Sequence, residues 1–168
     1  MHDDDVQLLA CIPRLRRYAR ALVGERAAAD DLVQDTLERA WNKFSLWRRG
    51  GDLRAWLFGI MHNLYVDQRR KAALPTQPLD DEALAVPTRA AQSDPLEVHD
   101  LENALRALPD EQREILLLVA LEQMTYEEVA RTLGIPLGTV MSRLSRGRAK
   151  LRALLEGRPS GAMLKVVK

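Results

Sequence analysis

The stretch TYEEVARTLGIPLGTVMSRLSRGRAKLR, residues 125–152, contains two short helical patterns that meet at Gly134 and Pro136. Thr125 is suited to cap the first helix, because a threonine hydroxyl accepts a hydrogen bond from a free N–H of the first turn. Gly134 is suited to the left-handed conformation that closes a helix, and the proline then redirects the chain. This spacing predicts a helix-turn-helix pair.

The second helix of this pair has two different faces. Its predicted inward stripe is apolar or small and consists of Val140, Leu144, Gly147 and Leu151. The outward face is small, hydrogen-bonding and positive, and consists of Thr139, Ser142, Ser145, Arg146 and Ala149. Such a face fits the major groove of DNA, where Arg146 would bind guanine and Ser142 either base edge. The flanking cations, placed where phosphates would lie, are Arg143, Arg148 and Lys150. The alternative is a solvated basic helix in a helical hairpin.

The net charge of +1 hides a strongly uneven distribution. Residues 48–71 contain six basic and two acidic residues, and residues 139–152 contain five basic residues and no acid. Between them, residues 72–102 contain seven acidic residues and one arginine. Two cationic surfaces that flank an anionic connector indicate a polyanion contacted at two places.

Hydrophobic periodicity predicts an all-α protein of two small helical domains. We expect an N-terminal helical bundle over 1–71, a flexible acidic linker with several prolines over 72–95, a helix-turn-helix domain over 96–157 and a frayed tail over 158–168. No apolar run approaches the roughly 20 residues that span a bilayer. The acidic start lacks the features of a secretory signal, so the cytoplasm is the expected location.

Two helices of the N-terminal part carry polar faces. One, opposite the stripe of Val33, Leu37 and Ala40, holds Asp31, Gln34, Asp35 and Glu38 and is either solvated or a docking surface. The other, on the helix from Leu53 to Lys71, holds His62, Asn63, Arg69 and Arg70. The nearby Trp41, Trp47 and Trp56 fit core packing, and an aromatic beside arginines also fits an unstacked base.

These motifs carry a family resemblance. The stretches ADDLVQDTLERAW, DLRAWLFGIMHNLYVDQRRK and LPDEQREILLLVALEQMTYEEVARTLGIPLGTVMSRLSRGRAKL occur in the order found in the extracytoplasmic-function (ECF) group of bacterial RNA polymerase sigma factors. The chain resembles that group from about Leu8 to Leu155. The resemblance implies an alternative sigma factor that binds core RNA polymerase and directs initiation at minus-10 and minus-35 promoter elements.

The resemblance also assigns residues. It places the core polymerase contact on Asp31, Gln34, Asp35, Glu38 and Arg39. It places minus-10 DNA contacts on a base-capturing loop and a strand-binding helix, at Phe44, Arg48, Arg49, Asp52, Arg54, His62, Asn63, Arg69 and Arg70. It places base-reading positions of the minus-35 helix on Met141, Ser142, Ser145 and Arg146. With the outward face and flanks found above, the minus-35 candidates are Thr139, Met141, Ser142, Arg143, Ser145, Arg146 and Arg148. Many members carry a positive residue where this chain has Met141, so a different promoter base is expected there.

The expected partners are core RNA polymerase, promoter DNA and an anti-sigma factor, and the chain is not expected to be a membrane protein. We expect no cofactor, no metal and no enzymatic activity, because the three histidines lack metal-ligand spacing and no nucleophile stands out. A helix-turn-helix regulator that works without core polymerase and a sigma mimic that captures an anti-sigma factor are the alternatives. A small hydrolase using Asp30, Asp31 and Asp35 fits poorly, because no base or metal partner accompanies these acids.

Overall fold

The computed structural model describes residues 3–47, 51–73 and 96–157, with residues 96 and 97 described by their backbone alone. Every regular element in these ranges is helical. The helices are α1 (Asp3–Val23), α2 (Arg26–Asn42), α3 (Leu53–Ala72), α4 (Leu96–Ala107), α5 (Asp110–Ala120), α6 (Tyr126–Leu133) and α7 (Leu137–Glu156), and a short 3-10 helix spans Phe44–Leu46. The all-α fold class is thus confirmed.

The helices α1, α2 and α3 form the N-terminal unit. Carboxylate side chains cap the N-termini of two of these helices. Glu25 accepts hydrogen bonds from N–H groups of the first turn of α2, and Asp52 does the same for α3. The apolar stripes predicted for α2 and α3 face inward, and Leu32, Leu57 and Met61 are fully buried. The rings of Tyr18 and Phe58 pack edge to face, with centroids 4.9 Å apart, and join α1 to α3.

The helices α4 to α7 form the C-terminal unit, which contains the predicted helix-turn-helix pair as α6 and α7. Thr125 and Glu128 form a reciprocal capping box at the start of α6. Gly134 ends α6 at φ 70° and ψ 37°, in the left-handed region that the sequence predicted. Val140 and Leu144 of α7 are buried against α5, as the predicted inward stripe requires.

The two units pack against each other. α3 contacts α6, and α1 contacts α4 and α5. Buried residues of both units, from Leu15 and Leu57 to Ile115 and Val129, belong to one continuous hydrophobic cluster. The minus-10 and minus-35 candidate surfaces therefore belong to one compact body, which the charge pattern did not predict.

The structure describes only a small part of the predicted linker and tail. α3 continues to Ala72, whereas the linker over 72–95 and the tail over 158–168 lie almost wholly outside the described residues.

The packing role expected for the tryptophans holds for Trp47 and Trp56, which are partly buried. It fails for Trp41, which is 61% exposed because the end of α2 turns this ring toward an open apolar groove.

Candidate nucleic-acid interface

The outward face of α7 is open to solvent in the way major-groove contact requires. Ser145 and Arg146 are exposed, and Met141 is 50% exposed. Thr139 and Ser142 are half-buried near the start of the helix, where the Ser142 hydroxyl donates to the backbone oxygen of Thr139 at 3.3 Å. The face therefore combines the Arg146 guanidinium with hydroxyl groups, of which that of Ser142 could exchange its weak backbone hydrogen bond for one to a DNA base.

The flanks of α7 are also accessible. Arg148 is exposed, and Arg143 is half-buried with its Nε 3.5 Å from Oε1 of Glu111 on α5. Because the Glu111 side chain is largely exposed, this ion pair is weak and a phosphate could replace the carboxylate. Both arginines thus remain suited to backbone contact.

Gly147 brings the inner side of α7 close to α5. A Cβ added at Gly147 would lie 3.3 Å from both Cβ of Gln112 and Cδ1 of Leu116. The glycine therefore stands at a close helix–helix approach. Together with the buried Val140 and Leu144, this contact holds the inner side of α7 against α5 and leaves the side of Ser145 and Arg146 outward.

The α3 candidates are not a free surface. Three of them face acidic residues of the C-terminal unit, and the pairs are Arg54 with Glu122, His62 with Glu114, and Arg69 with Asp110. The closest contacts are 2.5 Å between His62 Nδ1 and Glu114 Oε2, 2.7 Å between Arg69 Nε and Asp110 Oδ2, and 2.7 Å between Arg54 Nη1 and the backbone oxygen of Glu122. Arg70 is exposed and lies 3.9 Å from Asp67 of its own helix.

The predicted base-capturing loop is built around aromatic rings. The rings of Phe44 and Trp47 stack with centroids 5.6 Å apart, and each lies 6.2 Å from the ring of Trp56 on α3. Beside them a cleft of about 550 Å³ lies between parts of α3 and α6, lined in part by Asp52 and Asn63. The assignments of Arg48 and Arg49 lie outside the described residues.

The candidate polymerase contact lies on the opposite side of α2 from its buried stripe. All five of its residues, Asp31, Gln34, Asp35, Glu38 and Arg39, are exposed. An apolar groove next to this face is lined by Leu8, Leu9, Ile12, Leu37 and Trp41. The α2 surface thus combines acidic side chains with neighbouring apolar area.

Sequence reasoning missed the acidic residues of the C-terminal unit that face α3. Glu114 and Glu122 are buried, and Asp110 also accepts a hydrogen bond from Tyr65 at 3.1 Å. Burial raises the pKa of the Tyr65 phenol, so it donates this bond as a neutral group. The sequence signal that could have indicated them is that Glu114 and Glu122 flank the apolar run 115–121. Acids beside such a run are prone to burial, and a buried carboxylate requires a cationic partner.

Comparison with known proteins agrees with this architecture. The chain matches the family model "Sigma2 domain of PhyR" over residues 8–62 and "Sigma-70, region 4" over residues 99–151. It is 40% identical over 153 residues to the ECF RNA polymerase sigma factor EcfG of Rhodopseudomonas palustris, which covers 90% of this chain and 83% of that protein. It is 36% identical over 143 residues to the ECF sigma factor SigM of Mycobacterium tuberculosis, covering 84% and 71%.

Solved structures give the same answer. The sigma factor RpoE of Bartonella quintana, solved in complex with the anti-sigma factor NepR, matches with a TM-score of 0.79 and 36% identity over 93% of this chain and 98% of that one. CnrH, solved with the cytosolic domain of CnrY, matches with a TM-score of 0.67 and 27% identity over 91% and 87%.

Two helical units, one with an exposed helix of a helix-turn-helix pair, together with these matches define a sigma-type transcription factor. The chain belongs to the ECF group of RNA polymerase sigma factors. Within the described ranges, no helix is long and apolar enough to cross a membrane, and no cluster of three or more His, Cys, Asp or Glu side chains is arranged to hold a metal ion.

Proposed function

We propose that this protein binds core RNA polymerase and selects promoters by recognising a minus-10 and a minus-35 element. The observation that carries the proposal is the outward face of α7, where Ser145 and Arg146 are exposed on a helix fixed from behind by Gly147. A rigid helix with one exposed guanidinium and adjacent hydroxyls is suited to reading base edges in the major groove. This face is the minus-35 reader.

The exposed acidic face of α2 is the proposed contact with core polymerase. Binding to core is required because two small basic surfaces alone would give mostly nonspecific, salt-sensitive DNA affinity. Once core fixes the spacing of the two units, the second DNA contact becomes intramolecular, so each unit needs only modest affinity of its own. Family membership supports this division of labour.

The minus-10 element is proposed to bind at the aromatic cluster and α3. Phe44 and Trp56 lie at the start of the strand-binding helix, beside Asp52 and the exposed Asn63. Capturing a flipped base would offset an unstacking cost of a few kcal/mol. Aromatic stacking gives a further contribution of about 1 to 3 kcal/mol per base.

An anti-sigma factor is the proposed regulatory partner, since RpoE and CnrH were solved with NepR and CnrY, respectively. The proposed location is the cytoplasm, where core polymerase acts. No catalytic role is proposed, because promoter selection requires binding alone.

The test is co-purification with core polymerase followed by run-off transcription on genomic fragments. Replacing two acids of the α2 face, Asp35→Asn with Glu38→Gln, should weaken core binding. Asp30→Asn is the matched control, because Asp30 lies on the same helix but pairs with Arg20 of α1 at 3.6 Å. Promoter-specific transcripts that depend on this protein support the proposal, and tight sequence-specific duplex binding without core would favour an independent regulator.

A sigma mimic is the second candidate, because the N-terminal match is to a domain of PhyR. The fold is also similar to PhyR solved with NepR, at 18% identity and a TM-score of 0.60. A mimic would bind an anti-sigma factor yet fail to associate with core polymerase. The same co-purification therefore separates the two functions.

A further inference from the structure

The first half of α7 carries an exposed apolar pair. The side chains of Leu137 and Met141 are 39% and 50% exposed, although both are large and apolar. They are four residues apart on one helix, so they lie next to each other on the same face. Ser145 continues this row as an exposed hydroxyl. The row therefore changes from apolar to polar along the helix.

The first turn of α7 is open to an approaching DNA strand. Residues 137–140 contain no acid, and Pro136 provides no side-chain cap within the described structure. A Cβ added at Gly138 would lie in open space. By contrast, α6 begins with a capping box and two acidic residues, Glu127 and Glu128. Because the N-terminus of a helix favours negative charge, this end of α7 is suited to lie beside phosphates.

The surroundings of the apolar pair favour DNA over a protein as its partner. Residues 139–152 contain five basic residues and no acid, and the exposed Arg148 lies on the same side of α7 as Met141. A partner that covered only the apolar area would bury these cations without counter-ions, which is costly. DNA supplies both kinds of contact, because its phosphates pair with cations and the major groove presents the methyl group of thymine.

We propose that Met141 recognises a thymine of the minus-35 element through the C5-methyl group, with Leu137 extending the apolar surface beside it. This inference rests on the proposed minus-35 role of α7. Thymine is the base whose major-groove edge carries a methyl group, and apolar side chains are suited to contact it. The methionine thioether is only a weak hydrogen-bond acceptor, and its unbranched chain adapts to the base edge.

The spacing along α7 predicts where this thymine lies. At about 1.5 Å per residue, Met141 and Arg146 are about 7.5 Å apart along the helix axis. Successive bases of a DNA strand are about 3.4 Å apart along the duplex axis. The thymine should therefore lie within about three base pairs of the guanine that Arg146 is proposed to bind.

The test removes single methyl groups from the DNA. In a promoter duplex recovered by run-off transcription, deoxyuridine replaces each thymine of the minus-35 element in turn, on either strand. Deoxyuridine keeps the hydrogen-bonding groups of thymine and lacks only the C5-methyl group. Fluorescence anisotropy measures binding of the duplex by the holoenzyme. We expect one thymine at which the change weakens binding roughly fourfold, the effect of exposing about one buried methyl group.

The matching change in the protein is Met141→Ala, which shortens an exposed side chain and introduces a strong helix former. The holoenzyme with this variant should bind the thymine and deoxyuridine duplexes about equally. Leu101→Ala is the matched control, because Leu101 is 41% exposed on α4 of the same unit. It should keep the wild-type preference for thymine. At the same position, 5-methylcytosine should bind more tightly than cytosine to the wild type but not to Met141→Ala.

Three outcomes would overturn the thymine contact and leave the proposed function standing. One is a selected minus-35 element without thymine on either strand, and another is equal binding of thymine and deoxyuridine at every position. The third is a thymine preference that persists in Met141→Ala, because another residue or the DNA shape would then cause it. Failure of the protein to associate with core polymerase would refute the proposed function as well as the contact.

Discussion

The Nε atom of Arg113 donates a hydrogen bond to the backbone oxygen of Leu22 at 3.0 Å, joining α5 to the end of α1 across 91 residues of sequence. The same guanidinium donates to the oxygen of Leu108 at 2.8 Å and pairs with Asp110 at 2.6 Å. Arg113 is buried, and its planar fork satisfies acceptors of both units. Arg113 therefore has a structural role, because its guanidinium holds the two units together from a buried position.

Arg113→Met should lower the free energy of unfolding by about 3 kcal/mol, because the backbone oxygens of Leu22 and Leu108 then lose a charged hydrogen-bond donor. Arg106→Met is the matched control, since exposed Arg106 likewise donates across the units, to the oxygen of Gly24 at 2.6 Å. That change should cost about 1 kcal/mol or less. Urea denaturation measures both, and equal losses would contradict the role given to Arg113.

Gly134→Ala should destabilise the C-terminal unit by about 1 to 2 kcal/mol, because an alanine at φ 70° brings Cβ too close to the backbone. A clash with the rest of the protein is not the reason, since no atom beyond the adjoining residues lies within 4 Å of an added Cβ. Gly138→Ala tests this: the site is equally open but lies in the helical first turn of α7, so alanine should be neutral or stabilise by up to about 1 kcal/mol. A loss of similar size at both glycines in thermal denaturation would argue against the left-handed turn.

The buried Tyr18 should make the protein sensitive to alkali. Burial raises the pKa of Tyr18 well above the ordinary value of 10.0. The native state therefore keeps the phenol proton while the unfolded chain releases it, so stability is fully present below about pH 10 and falls as pH rises. Tyr18→Phe should make this fall shallower by up to about 1.4 kcal/mol per pH unit.

Denaturation of the Tyr18→Phe variant across about pH 9 to 11 measures this slope. Tyr126→Phe, at the half-buried first residue of α6, is the control and should keep the steep slope. An unchanged slope in Tyr18→Phe would mean that other groups cause the alkaline loss.

Local chemistry made the elements predictable. The threonine cap, the left-handed glycine and the inward stripe of α7 depend on residues within a few positions of one another, and all three appear as expected. The exposed acidic face of α2 followed from helical periodicity in the same way.

The packing of the two units was not predictable by that route. Arg54 and Glu122 meet across 68 residues, and an arginine on a helix face is equally suited to a phosphate or a carboxylate. The sequence therefore indicated cations that bind an anion, but did not indicate that the anion belongs to the same chain. Trp41 is a similar case, because its exposure depends on how the end of α2 lies against the beginning of α1, which local sequence does not specify.

The last prediction separates base reading from phosphate binding on α7. Arg146→Ala should weaken promoter selection by about 1 to 3 kcal/mol at a single base position of the minus-35 element, because a bidentate guanine contact is lost. Arg148→Ala should weaken binding about equally across promoter sequences and reduce the salt dependence of binding, because a phosphate contact is lost. Both side chains are exposed, so neither change should alter the fold.

The measurement is transcription by the reconstituted holoenzyme on a promoter series in which each minus-35 base is varied in turn. The salt dependence is recorded in parallel by binding of the holoenzyme to one promoter duplex. If Arg146→Ala lowers activity uniformly across the series, Arg146 contacts phosphate and the base-reading face of α7 must be reassigned. If Arg148→Ala changes the preferred base, the helix is rotated relative to the groove, and the close approach at Gly147 does not set its orientation.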